Sequence, residues 1–283
     1  LFCVVAVVVA ILCLSGAASA DMAVKLPNPK AETDLRYVYD RELLDMALRE
    51  TEVQYGPYHI SYASSAMSHK RTRVEIGRGR LINVVRSPTN ADLEVSTIPV
   101  RIPIFMGLLG YRVALIRAED QARFNKILSL QDLAALRAGQ GAGWVDIPIL
   151  QKNGLSVVKG ANYDSLFGML SAGRFDYFPR GVNEILTELE THRDQYPSLS
   201  TEKTLLLHYP FPVYFFVSKK QPNLAKRLYQ GLSILAERGD LERLLYRYFG
   251  QQIKKLNLAK RRVFYLKNPD LPSQTPLAAR HLW

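Results

Sequence analysis

The chain has 283 residues, of which 48% are apolar, 22% charged and 10% aromatic. That composition suits one large domain or two lobes of modest size with a substantial core. It excludes disordered and collagen-like classes, and a mean hydropathy of −0.06 argues against a multi-span membrane protein. Lysine and arginine number 37 against 26 acids, a net charge of +11, so the expected partner is anionic: a small acidic ligand, an acidic membrane surface or nucleic acid.

Residues 2–14 form an unbroken apolar run, too short to span a bilayer, which needs about 20 residues. Small residues follow, ending in Ala18-Ser19-Ala20, the small-x-small pattern of a secretory cleavage site. Residues 1–20 therefore read as a signal peptide. The run opens on Leu1 with no basic stretch before it, so its front is expected to be missing. Cys3 and Cys13 both lie in this segment, which leaves 21–283 without cysteine. An exported chain of that kind relies on its core alone.

From residue 21 onward strands and helices alternate. A strand is expected over 23–26, ending at Pro27, then a polar and aromatic loop over 28–39. Asp40 caps a helix from Arg41, with Leu43, Leu44, Ala47 and Leu48 on one face. Residues 58–62 alternate as a strand, Ser68 caps a short basic helix, and 81–85 read as a buried strand ending in a turn over 86–90. Prolines make 98–105 extended, and 111–117 is a strand. Ser129-x-x-Asp132 has capping-box spacing and opens a helix that Gly139 ends. The glycine-rich stretch 139–144 leads to a helix start at Asp146 and Pro148. Strand 155–158, helix 162–170 and a strand over 175–178 broken by Pro179-Arg180 come next, then helix 183–192 and strands over 205–207 and 213–217. Leu224, Leu228, Leu232 and Leu235 form one helical stripe that stops at Gly239, and Asp240 caps a second helix ending at Gly250. The tail, with Pro269, Pro272 and Pro276, is expected to wrap in extended form. Such alternation points to an α/β fold with helix-covered sheets and ligands at the carboxyl ends of the strands.

Four segments carry a resemblance: Ser129-Leu130-Gln131-Asp132-Leu133 before the glycine-rich turn, 166–176, 214–219, and 223–250. In that order they resemble the type 2 periplasmic solute-binding proteins of family 3, which include polar amino acid receptors of ABC importers. The resemblance implies the two-lobed periplasmic-binding-protein-like II fold, with two mixed sheets flanked by helices and joined by two hinge strands. Mapped onto this chain, lobe 1 is 21–112 and 208–283, with 251–283 as a C-terminal extension, and lobe 2 is 113–207. It further implies a monomer in the periplasm that captures a small polar solute for an inner-membrane ABC permease, or hands its closed state to a sensor protein, without cofactor or catalysis. Amino acid receptors carry an Arg after the third strand and a carboxylate after the strand that here reads 175–178. This chain has Ser87-Pro88-Thr89-Asn90 and Pro179-Arg180 in those places, so the expected solute is anionic.

Arg180, at a strand end, offers a bidentate grip on a carboxylate or phosphate. Gln140, Gly141 and Trp144 offer close backbone approach and stacking, although the spacing is no nucleotide fingerprint. Ser87 and Thr89 suit carboxylate binding or local turn-capping. Glu32 and Tyr37 sit in the first strand-to-helix loop, which lines the cleft in the family, whereas Arg101 and Arg112 read as structural groups near a hinge. The five histidines form no metal-ligand pair, and no Gly-x-Ser-x-Gly hydrolase motif is present. The basic stretch 254–262 has the charge of a nucleic-acid arm, which export disfavours. A dehydratase acting on a cyclohexadienyl acid is the enzymatic alternative, with Glu32 or Asp146 as general acid.

Overall fold

The computed structural model describes residues 21–28 and 35–283, so the expected signal peptide and Glu32 lie outside the described residues. Two composite sheets, each built from two hydrogen-bonded groups of strands, organise them. In the first, β1 (Met22–Leu26) pairs in parallel with β2 (Tyr58–Tyr62), while β3 (Val84–Pro88) and β4 (Thr97–Val100) flank β11 (Val213–Ser218) antiparallel. Asn83 joins the two groups. Its backbone N–H donates to the Lys25 carbonyl at 2.9 Å. Its side chain accepts from the Lys25 N–H and donates to the Ala23 carbonyl, both at 2.7 Å. In the second sheet β5 (Tyr111–Arg117) lies antiparallel to β8 (Phe178–Gly181), β9 (Leu199–Thr201) and β10 (Leu205–His208). There β12 (Arg262–Tyr265) adds in parallel to β10, and the parallel pair β6 (Arg137–Gly141) and β7 (Ser156–Gly160) joins through the bridge between Ala138 and Tyr177.

The helices are α1 (Leu35–Glu50), α2 (Glu52–Tyr55), α3 (His69–Arg78), α4 (Ala91–Ser96), α5 (Gln121–Phe124), α6 (Leu130–Ala134), α7 (Asp146–Lys152), α8 (Tyr163–Ser171), α9 (Ile185–Thr191), α10 (Pro222–Glu237) and α11 (Asp240–Leu256). None of the described helices is long and apolar enough to cross a membrane. The expected leucine stripes of α1 and α10 are fully buried in one core. Their axes approach closely because residue 231 is glycine: a Cβ there would stand 2.0 Å from the Ala47 carbonyl oxygen. Fully buried Arg227 closes the carboxyl end of α1, donating to the Leu48 carbonyl at 2.9 Å beneath the rings of Tyr55 and Tyr58. A guanidinium there complements the negative end of the helix dipole.

Several element boundaries differ from expectation for physical reasons. Asp40 lies inside α1 rather than capping it, because its carboxylate is engaged by Arg86 from β3. Gly139 belongs to β6 instead of ending a helix: with no Cβ it lets Phe175 pack onto the strand, where a methyl group would approach within 2.2 Å. Pro179 and Arg180 continue β8, paired with Ala114 and Val113. The capping box at Ser129 and Asp132 forms with both of its hydrogen bonds. Gly250 is passed by α11, whose apolar stripe continues to buried Leu256.

The tail does more than run along the surface. After β12, Asn153 and Lys267 exchange two hydrogen bonds, of 2.8 and 3.0 Å, and Asn268 donates to the Pro210 carbonyl at 2.9 Å. The chain then returns to the first sheet, burying Leu282 and resting the Trp283 indole on Gly107. Gly107 holds φ +72°, so its left-handed turn and the indole contact both require glycine there.

Candidate functional site

Between the sheets the chain crosses twice, and β5 and β10 pair through Tyr111–His208 and Arg112–Leu207. The carboxyl ends of β3, β6 and β8 are where a ligand belongs in an open α/β sheet.

On the side of the first sheet, alternation along β3 places Val84 and Arg86 on the face covered by α1. The Arg86 Nε donates to Asp40 at 2.7 Å, and the guanidinium lies 5.8 Å from the ring centroids of both Tyr37 and Phe105. Its side chain remains 22% exposed, which makes it an accessible cation resting on aromatic faces. Tyr39 fixes this floor: it packs 4.9 Å from Phe105, donates to the Ile104 carbonyl, and has its phenol pKa pushed well up, first by burial and then by Asp40. Ser87 and Thr89 are engaged internally. The Ser87 hydroxyl donates to the Pro88 carbonyl at 2.8 Å and the Thr89 hydroxyl to Glu94 at 2.5 Å, a carboxylate that Arg101 also grips with both terminal nitrogens.

On the side of the second sheet, the turn after β6 closes with a hydrogen bond of 3.0 Å from the Trp144 N–H to the Gly141 carbonyl. The indole lies over Gly141, where a Cβ would come within 2.4 Å of it. Trp144 is half-buried and stacks on Phe178, with ring centroids 6.1 Å apart. Arg180 lies 4.9 Å from the Trp144 ring, and its head group is committed to α9 and the turn before it. It meets Glu188 through two bonds of 2.6 Å and Glu184 at 2.9 Å. Burial alone would lower the Arg180 pKa, but the two carboxylates outweigh it and raise the pKa above its ordinary value. Asp176, its neighbour in sequence, pairs instead with Arg123 at 3.0 Å.

At the crossing, Arg112 meets Asp146 at 2.8 Å, the Tyr209 hydroxyl at 2.9 Å and Glu184 at 3.8 Å, and it lies 4.7 Å from the Phe211 ring. The Tyr209 hydroxyl donates to Asp146 at 2.5 Å. Here too burial opposes the charge, and the neighbouring Asp146, Tyr209 and Glu184 hold the guanidinium pKa above its ordinary value. Gln140, 1% exposed, and Asn183, 3% exposed, bury both polar atoms of their amides without a hydrogen-bond partner.

Of the residues singled out from sequence, Trp144, Gly141 and Arg180 therefore assemble into one wall, and Tyr37 lies beneath Arg86. Arg86, Glu184, Glu188 and Asn183 were not among the expected site residues. The spacing Arg180-x3-Glu184-x3-Glu188 is a sequence signal for the buried pairing, whereas nothing local links Arg86 to Asp40, 46 positions away. Among the described residues no cluster of three or more His, Cys, Asp or Glu is placed to hold a metal ion.

No protein-family model matches the chain, and no curated protein matches it in sequence. Solved structures do match in shape. The probable amino-acid ABC transporter extracellular-binding protein YtmK from Bacillus subtilis aligns with 81% of this chain and 98% of its own, at TM-score 0.59 and 14% identity. An ancestral arginine-binding protein bound to arginine aligns over the same shares at TM-score 0.55 and 16% identity. The GluR0 ligand-binding core complexed with L-glutamate does so at 0.55 and 13%. The chain thus has the two-lobed, periplasmic-binding-protein-like II fold, with mixed sheets flanked by helices.

Proposed function

We propose that the protein is a solute-binding receptor of the periplasm, with lobe 1 formed by 21–112 and 208–283 and lobe 2 by 113–207, which closes about the β5–β10 crossing on a small amino-acid-like solute. The observation that carries this reading is the part-exposed Arg86 guanidinium on its Tyr37–Phe105 floor at the carboxyl end of β3. Trp144, backed by Phe178 and Arg180, supplies the stacking wall on the other sheet.

The charge balance favours a solute bearing both signs over a bare anion. Three guanidiniums, Arg86, Arg112 and Arg180, are matched by four carboxylates, Asp40, Asp146, Glu184 and Glu188. A solute carboxylate at Arg86 is better tolerated with an ammonium beside it, since the surroundings hold no surplus of positive charge. The structural neighbours bound to arginine and to glutamate, both amino acids, are consistent with that class. As in ABC importers, the closed form would be presented to a membrane permease by a monomer.

Thermal-shift and calorimetric screening of amino acids, short peptides and simple carboxylates tests the proposal. An amino acid at about 100 times its Kd should stabilise the fold by about 2.7 kcal/mol. Stabilisation by dicarboxylates alone would overturn the charge argument, and stabilisation by none of these solutes would overturn the receptor reading.

A further inference from the structure

The flank of the first sheet opposite Arg86 lies away from the proposed solute site, and it concentrates positive charge. Val85 and Ser87 alternate with Arg86 toward this side, which α3 and α4 cover over the small core of Ile76, Ile82, Val85, Leu93, Tyr214 and Phe216. Two arginines on α3 are paired, Arg73 with Asp92 at 3.1 Å and Arg78 with Glu75 at 3.0 Å. Five further cations, Lys25, Arg71, Arg80, Lys219 and Lys220, have no ion-pair partner among the described residues. Three of them gather at the carboxyl end of α3, where the Lys25 ammonium donates to the Arg80 carbonyl at 3.3 Å and a Cβ on Gly79 would lie 3.6 Å from that of Lys220; Lys219 precedes Lys220 in sequence, and Arg71 lies in the first turn of α3. Among the described side chains, seven cations here face the two acids Asp92 and Glu75, while Glu94 of α4 is held by Arg101. Two aliphatic side chains stand exposed among them, Val74 at 48% and Leu81 at 46%.

We propose that this flank is a docking surface for an anionic lipid bilayer. Clustered like charges repel one another, and a dense, adaptable anionic surface relieves that repulsion. The flank presents a helix and a turn, and long side chains that reach a planar, deformable partner suit such a shape. Val74 and Leu81 can enter the headgroup boundary between the cations, the arrangement by which basic surfaces add apolar burial to charge attraction. Arg86 lies on the opposite face of β3, so docking here is separate from solute binding and does not depend on the proposed receptor function.

Co-sedimentation of the full chain with phosphatidylglycerol vesicles, against phosphatidylcholine vesicles, tests the proposal. Binding to the anionic vesicles should exceed binding to the zwitterionic ones by at least about tenfold and fall steeply as salt is raised. Each cation near such a surface is worth about a fivefold change in partition, so Arg71→Gln, Arg80→Gln and Lys220→Gln together should lower it roughly a hundredfold. These side chains form no ion pair among the described residues, so the variant's melting temperature should match the parent's, and Val74→Ser with Leu81→Ser should weaken binding further. Equal binding to both lipids, or full binding by the triple glutamine variant, would overturn the proposal. So would indifference to vesicles combined with tight binding to polyglutamate, which would assign the flank to an acidic protein instead.

Discussion

Replacing Arg180 with methionine separates two roles for the buried guanidinium. Glu188 holds it through two bonds of 2.6 Å and Glu184 through one of 2.9 Å, and both Arg180 and Glu188 are buried. Removing one partner of such a pair leaves a carboxylate desolvated and unmatched, at a cost of about 3–5 kcal/mol. At about 2–4 °C per kcal/mol for a protein of this size, Arg180→Met should melt about 10 °C below the parent in calorimetry or circular dichroism. Adding Glu188→Leu removes the stranded charge and fills the space with an apolar group, so the double variant should recover most of that loss, a coupling of at least about 2 kcal/mol. The folded fraction of either variant should bind solute within a few-fold of the parent, because Arg180 acts behind Trp144. If Arg180→Met melted within about 2 °C of the parent while solute affinity fell more than about tenfold, the guanidinium would be a ligand-gripping group and the structural assignment would be refuted.

Other expectations follow from packing and burial. Gly231→Ala should cost at least about 1–3 kcal/mol by forcing α1 and α10 apart, whereas Gly77→Ala, with open space around its Cβ in the interior of α3, should add about 0.5–1 kcal/mol; chemical denaturation of both checks the contrast. His208, its ring tilted against that of Tyr111 with centroids 4.3 Å apart, has its pKa lowered by burial. Its neutral form is favoured in the folded state, so its contribution is fully present above the unfolded value of about 6.5 and is lost as pH falls toward the folded pKa. His208→Phe should therefore flatten the melting temperature between about pH 7 and pH 5, and an unchanged slope would contradict that sign. Trp283→Ala should cost about 2 kcal/mol, below the range for a fully buried tryptophan, and should speed amide exchange at 106–110, where the indole covers Gly107.

The sequence carried the fold well wherever the signal was local. The 3.6-residue stripes of α1 and α10, the capping box at Ser129 and the alternation of β5 appear at or near their expected positions because periodicity and caps act over a few residues. Local reading failed where tertiary contacts override propensity. Proline within β8 is tolerated beside Ala114, and glycine within β6 is required by Phe175. The candidate site was half legible. Trp144 and Arg180 stand out by residue type and position, but the partners that define what Arg180 does, Glu184 and Glu188, lie in a segment for which the sequence predicts a helix and nothing more. Arg86 was hidden because residues 86–90 have the composition of a turn, and its partner Asp40 looked like a helix cap.

Calorimetric titration of the parent and of Arg86→Ala with the amino acid that most raises the melting temperature tests the central claim most directly. A charge-assisted bond from Arg86 to the solute is worth about 1.5–3 kcal/mol, so the folded variant should bind roughly 10–150 times more weakly; because the change also takes the Arg86 guanidinium away from the buried Asp40 carboxylate, the variant should melt below the parent, and the titration is run well below its melting temperature. Equal affinity in the two proteins, or no heat of binding from any amino acid with the parent, would contradict the account.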